Sequence, residues 1–207
     1  MATRFGASPW LHEIKHDGFR IIARKNGAQV RLYSRPGNDL TRRFPLIVET
    51  LARLRSRSCI IDGEAVAGDD NGVASFDLVR HHRANERIFL YAFDLIELNG
   101  DDLRRDPLEV RKATLASIVA KARPGIRFNE HIEGDGPTVF AHACKMGLEG
   151  IVSKRKDDFP RDPDEIFRNV RSANGGNGRY WLHGDGVRRS ARRCKADIER
   201  ISPEDRF

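Results

Sequence analysis

Short apolar runs suited to strands alternate with stretches of helical spacing, and this alternation is dense as far as residue 154. Trp10–Lys15 and Phe19–Lys25 have the composition of strands, and Asn26-Gly27 is a two-residue hairpin signal leading into Gln29–Ser34. Leu40, Phe44, Ile47, Val48 and Leu51 recur at helical spacing within Asp39–Leu54. Pro45 is tolerated only in a first turn, which places the helix start at Arg43 or Phe44. Ser58–Ala67 is a β-branched run that gives way to a turn at Asp69-Asp70-Asn71-Gly72. Ser75–His82 reads as a short helix with Ser75 at its cap. Ile88–Leu98 is the longest apolar strand, stopped by Asn99-Gly100, and Pro107 opens a helix running to about Ala122. Gly125–Ile132 is a strand, Thr138–Met146 a helix closed by Gly147, and Gly150–Lys154 a last strand. The links between strands are too short for parallel crossovers, so the pattern predicts an α+β fold on an antiparallel sheet.

Beyond Lys156 the pattern fades. Asp157–Asp164 is charged and holds two prolines, Ser172–Gly178 is small and polar, and Val187–Lys195 carries five basic residues and no acid. The expected organisation is therefore one domain over 1–157 and a divergent, weakly ordered basic tail over 158–207.

Composition narrows the class. With 207 residues and 39% apolar content the chain can bury a real core, which excludes global disorder. No apolar run approaches the ~18 residues of a membrane-spanning helix. Met1-Ala2-Thr3-Arg4-Phe5-Gly6 lacks the apolar segment of a secretory signal. Cys59, Cys144 and Cys194 are scattered without metal-ligand spacing, which suits a reducing, cytoplasmic setting. The net charge is +7. Arginine supplies most of the basic side, and its planar fork suits phosphate oxygens, so the charge leans toward a phosphate-bearing partner.

Chemistry is concentrated in a few charged residues set into apolar strands. Lys15-His16-Asp17-Gly18-Phe19-Arg20 fits K-x-D-G-x-R, with a lysine at one strand end, a glycine for a tight turn and an arginine on the returning strand. Ser34-Arg35-Pro36-Gly37 closes the first hairpin. Ile61-Asp62-Gly63-Glu64 sets two carboxylates among Ile60, Ile61 and Val66, and Tyr91-Ala92-Phe93-Asp94-Leu95 does the same within Leu90–Ile96. Glu149-Gly150-Ile151-Val152-Ser153-Lys154 puts a carboxylate and an ammonium at the two ends of one strand. A charge embedded in an apolar strand is costly unless paired, metal-bound or turned toward a ligand. One such case is a routine salt bridge; four in succession predict a shared cleft. His16, His81, His82 and His131 have no metal-ligand partner at useful spacing. Arg42-Arg43 and Arg104-Arg105 read equally well as solvated faces or as contacts to DNA phosphate.

In this order and spacing, the blocks KHDGFR, SRPG, IDGE, YAFDL and EGIVSK resemble the adenylation domain of bacterial ATP-dependent DNA ligases of the end-joining repair type. The likeness covers roughly 10–157. It implies an antiparallel-sheet nucleotidyltransferase fold, ATP-grasp-like, without an OB-fold domain. It implies lysyl-AMP formation from ATP, transfer of AMP to a DNA 5′-phosphate, and nick sealing in repair and recombination. By the same resemblance Lys15 is the catalytic nucleophile. Arg20 and Glu64 hold the ribose and its surroundings, Phe93 stacks on adenine, Glu13 and Ile14 lie near the adenine edge, and Lys154 lies near the adenylate phosphate. Arg35 contacts phosphate of nucleotide or DNA, Glu149 serves a divalent metal and Asp94 is a weaker candidate for it. ATP with Mg²⁺ or Mn²⁺ are the implied cofactors. Nicked double-stranded DNA and end-joining or repair proteins are the implied partners, in a cytoplasmic, nucleoid-associated setting without a membrane.

The departures from the resembling family fall in the tail. There the EGIVSKR block is followed by a W-x-K-x-K-like element, whereas Trp181 here begins Trp-Leu-His-Gly-Asp and the sole later lysine is Lys195. The OB-fold module is also expected to be absent, since so short a tail of this composition could hardly form that barrel. Two alternatives therefore stand beside the ligase reading. One is an adenylation-domain remnant that binds nucleotide or a repair partner without sealing, and the other is an RNA-end ligase.

Overall fold

A computed structural model describes residues 9–67, 78–79, 87–122, 124–158 and 190–193. In chain order these form β1 (Trp10–Ile14), β2 (Phe19–Asn26), β3 (Gln29–Ser34), α1 (Pro45–Ala52), β4 (Ser58–Val66), β5 (Phe89–Leu98) and β6 (Asp101–Asp102). There follow α2 (Leu108–Val119), β7 (Ile126–Phe128), β8 (His131–Ile132), α3 (Gly136–Lys145), β9 (Gly150–Arg155) and β10 (Ser190–Arg193). The turn read at Asp69–Gly72 and most of the helix read over Ser75–His82 lie outside the described residues. So do most of the basic cluster at Val187–Lys195 and Trp181.

The described residues fall into two compact units. One is drawn from 9–16, 130–158 and 190–193, and the other from 17–129. In the larger unit β3-β2-β4-β5-β6 pair antiparallel, with β4 buried almost throughout as the central strand. One face of this sheet packs against α1 and α2 through Ile21, Leu32, Ile47, Leu51, Ile61, Leu90, Leu95 and Leu115, all fully buried. Each such side chain contributes about 1.5–3 kcal/mol through the water it leaves. In the smaller unit β10-β9-β1-β8 form a four-stranded antiparallel sheet with α3 against β9 and β1.

Local chemistry explains the helix boundaries. Pro45 stands in the first turn of α1 and Pro107 directly precedes α2, both where a missing N–H costs nothing. Asp135 caps α3, its carboxylate accepting from the Thr138 amide at 3.0 Å.

Three features differ from the reading of the sequence. Gly125–Ile132 is not one strand: β7 belongs to the larger unit, β8 to the smaller, and the chain passes between units after Asn129. The sheet is not wholly antiparallel, because β7 runs parallel to β5. The chain from Leu98 through α2 to Ile126 is long enough for that crossover. Cys59 is a free buried thiol, pushed up in pKa by its burial, but Cys144 is disulfide-bonded. Spacing along the chain does not report which thiols a fold brings together. Within the tail, the four residues of β10 pair with β9 as an edge strand. No helix among the described residues is long and apolar enough to cross a membrane.

The glycine of the K-x-D-G-x-R block has a steric reason. A Cβ on Gly18 would collide with the Ala65 carbonyl oxygen on β4, so this strand entry closes only on glycine. Gly18→Ala is expected to destabilise the fold by about 1–3 kcal/mol in urea unfolding. A midpoint equal to wild type would contradict the close approach.

Candidate active site

In the smaller unit, β1 and β9 run antiparallel with Leu11 opposite Lys154, Glu13 opposite Val152 and Ile14 opposite Ile151. The Lys15 amide continues the ladder by donating to Gly150 O at 3.0 Å. This register brings Glu13 diagonally toward Lys154 and sets Lys15 beside Glu149. Glu13 and Lys154 form an ion pair of 2.6 Å, with side chains only 3% and 4% exposed. Lys15 at the end of β1 donates to Glu149 Oε1, and both side chains are half-buried. The residues read as Glu13, Lys15, Glu149 and Lys154 are therefore two acid–base pairs joining the same two strands. Ile14 occupies the last position of β1, half-buried, opposite Ile151.

His12 lies on the other side of β1. Its Nδ1 is 2.8 Å from Ser153 Oγ and its Nε2 is 3.2 Å from Gly134 O, and its ring is buried. A lone histidine in an apolar strand gives no sequence signal of this kind.

In the larger unit, Arg20 on β2 grips Asp62 on β4 with two bonds, Nε to Oδ1 at 3.1 Å and Nη2 to Oδ2 at 2.6 Å. Glu64 is the direct cross-strand neighbour of Arg20. Asp62 holds the Arg20 pKa above its ordinary value against the opposing effect of burial, with Glu64 and Asp94 adding to the rise. The guanidinium stays charged at every working pH. Its carbon also sits 5.8 Å from the centroid of the half-buried Phe93 ring on β5. Arg20, Glu64 and Phe93 thus share one neighbourhood, joined by Asp62, which the reading of the motifs had left without a role.

Asp94, read as the weaker metal candidate, is held by an arginine. Arg111 of α2 donates Nε to its Oδ1 at 2.8 Å and Nη2 to its Oδ2 at 3.0 Å, both side chains being buried. Both carboxylate oxygens are thereby occupied. The Glu149 side chain is 14% exposed, and its carboxylate is a hard oxygen donor of the type that divalent cations take. Among the described residues no group of three or more His, Cys, Asp or Glu side chains is gathered as a metal site. Arg35 is exposed in the turn after β3.

One arginine of each pair turns inward or binds locally, while Arg42 and Arg105 are exposed. Arg43 stacks 4.5 Å from the Phe19 centroid and donates to Val79 O at 3.1 Å, and Arg104 pairs with Asp102.

The sequence matches the ATP dependent DNA ligase domain family over residues 1–162. It is 30% identical over 196 residues to the multifunctional non-homologous end joining protein LigD of Mycolicibacterium smegmatis, covering 91% of this chain and 25% of that protein. It is 35% identical over 150 residues to its Pseudomonas aeruginosa namesake, covering 70% of this chain and 18% of that protein. The chain thus spans a quarter or less of the length of these two relatives. Among solved structures it is similar to the ligase domain of M. tuberculosis LigD, with TM-score 0.64, 32% identity and coverage of 72% of this chain and 50% of that one. A mycobacterial DNA ligase D complexed with ATP and MES gives TM-score 0.64 at 34% identity, over 72% of this chain and 49% of that one.

The buried pair yields a stability test. Glu13→Gln leaves a buried ammonium without its carboxylate and is expected to cost about 3–5 kcal/mol. Glu13→Gln with Lys154→Met removes both charges and is expected to recover most of that loss in urea unfolding. Additive losses would show that the two side chains do not act as a pair.

Proposed function

The chain belongs to the ATP-dependent DNA ligase family, and from that premise we propose that it takes AMP from ATP onto Lys15 and passes it to a 5′-phosphate at a DNA nick. The observation that carries this reading is the place of Lys15: it directly follows β1 and opens the K-x-D-G-x-R block, its ammonium held by Glu149.

A lysine amine attacks only in its neutral form, so in the first step its proton must pass to a neighbouring base. Glu149 is the carboxylate in contact with that ammonium. The neutral Nζ attacks the α-phosphorus, a P–N bond forms, the bond to the β-phosphate oxygen breaks, and pyrophosphate leaves. The AMP then passes to a 5′-phosphate, freeing Lys15, and a 3′-hydroxyl displaces AMP as the strand is joined. Phosphoryl transfers of this kind need positioning and charge stabilisation more than covalent help.

Arg20 and Glu64 are assigned to the ribose and its surroundings, Phe93 to the adenine face, Glu13 and Ile14 to the adenine edge, and Lys154 to the adenylate phosphate. Arg35 is assigned to nucleotide or DNA phosphate. Arg20 is anchored by Asp62 at two points, which fixes its fork while leaving the side chain about a third exposed. Glu149 fits Mg²⁺ or Mn²⁺ by donor type, and such a cation supplies charge neutralisation for the triphosphate. The proposed substrate is nicked double-stranded DNA, with end-joining or repair proteins as partners and a cytoplasmic, nucleoid-associated setting.

A second reading, AMP capture without sealing, is favoured by one feature: Lys195 is the only lysine after Lys156 and has no tryptophan beside it. Two assays separate the readings. Incubation with α-labelled ATP and Mg²⁺ is expected to label the chain covalently, with at least a hundredfold loss, order of magnitude, in Lys15→Ala. Absence of label would overturn AMP transfer to Lys15 and leave a remnant that binds nucleotide or a repair partner. With label present, sealing of a nicked DNA duplex supports the ligase reading, its absence the capture reading, and preference for nicked RNA an RNA-end ligase.

A further inference from the structure

The most unusual charges in the larger unit are on α2. Leu108, Arg111, Lys112, Leu115 and Val119 form its buried stripe, and two cations occupy places that apolar residues would ordinarily fill. Arg111 is 1% exposed and Lys112 0%. A buried lysine is expensive, so what it touches is informative.

Both cations converge on one short segment of β5. The pairing of β4 with β5 slips by one residue between Asp62 opposite Asp94 and Gly63 opposite Ala92, so Phe93 is the extra residue of a bulge. Arg111 holds the carboxylate of the next residue, Asp94, with two bonds, and its Nη1 donates to Asp106 O at 2.6 Å. Lys112 Nζ donates to the carbonyl of Phe93 itself at 3.4 Å and to Asn129 O at 3.0 Å. The Asn129 amide in turn donates to the carbonyl of the preceding residue, Ala92, at 2.8 Å. Three consecutive residues are thus pinned from the helix side and from the end of β7. The ring of the middle residue remains half-exposed, with the Arg20 guanidinium near it.

A bulge re-aims a side chain, and left alone it is a place where a strand can relax or slip. We propose that Arg111 and Lys112 are positioning residues that lock the bulge at Phe93 and thereby fix the ring as a platform for the base of the nucleotide. The inference rests on the reading of Phe93 as the adenine platform and adds to it the device that holds the platform still. A pre-set ring loses little freedom when a purine stacks on it, so the clamp acts on recognition of the base and not on the phosphates. Neither cation touches the nucleotide in this account.

The test uses AMP, which needs no chemistry, against ribose 5-phosphate, which lacks the base, each titrated calorimetrically into the full chain. Lys112→Met is expected to weaken AMP by about tenfold and to leave ribose 5-phosphate within about twofold. Arg111→Lys, which keeps the charge but loses the two-point grip, is expected to shift AMP in the same direction. Phe93→Ala is expected to erase most of the preference for AMP, and adding Lys112→Met to it is expected to weaken AMP no further. If Lys112→Met does not fold, Lys112→Gln retains a donor without the charge and reads the same split. AMP binding unchanged in the folded Lys112 variant, equal losses for both ligands, or additivity with Phe93→Ala would overturn the clamp. AMP binding unchanged in Phe93→Ala would overturn the platform reading itself.

Discussion

The antiparallel pairing of β1 with β9 exchanges charges between two strands, and the chemistry proposed for the smaller unit depends on it. Glu13 meets Lys154 in the interior, and Lys15 meets Glu149 where the strands end. A one-residue slip in this ladder would turn every side chain to the opposite face and separate both pairs. The buried pair resists such a slip, because a displaced Glu13 or Lys154 would lose its counter-ion inside the protein. The register that neutralises the interior charges is therefore the same register that delivers Lys15 to Glu149. The pair at the strand ends is less buried, which leaves the amine of Lys15 within reach of a ligand.

The larger unit solves the same electrostatic problem on its sheet. Asp62 and Asp94 stand directly opposite each other on β4 and β5, an arrangement that repels when both are ionised. Each is gripped at both oxygens by its own arginine, Asp62 by Arg20 from β2 and Asp94 by Arg111 from α2. The two arginines differ in what remains to them. Arg111 is sealed inside, whereas Arg20 keeps part of its surface and lies near Phe93. One clamp is structural on its face, and the other leaves a charged group beside a half-exposed aromatic.

Much of this was legible in the chain and some was not. The strands from Trp10 to Leu98 and the helix after Pro107 follow from alternation, spacing and capping. The first helix starts a residue or two later than read, at Pro45, and the helix read from Thr138 starts at Gly136 behind its Asp135 cap. The block order pointed to the family that the sequence match shows. The break at Asn129 was not legible, because its partners, the Lys112 ammonium on α2 and the Ala92 carbonyl on β5, lie far away in sequence. Asp94 looked like a ligand because a carboxylate in an apolar strand must be compensated, and sequence does not reveal that a helix supplies the arginine. The signal existed: Arg111 and Lys112 fall in the stripe of Leu108, Leu115 and Val119, which a solvated pair would avoid. Asp62 was visible as an anomaly among isoleucines but not as the anchor of Arg20.

Everything proposed for the chemistry turns on Lys15 as the residue that carries the AMP. Incubating the chain with ATP and Mg²⁺, measuring intact mass and mapping the modified peptide by mass spectrometry is expected to give a single AMP adduct per chain, located on Lys15 and discharged by added pyrophosphate. An adduct on another lysine, or an unmodified chain, would contradict that role.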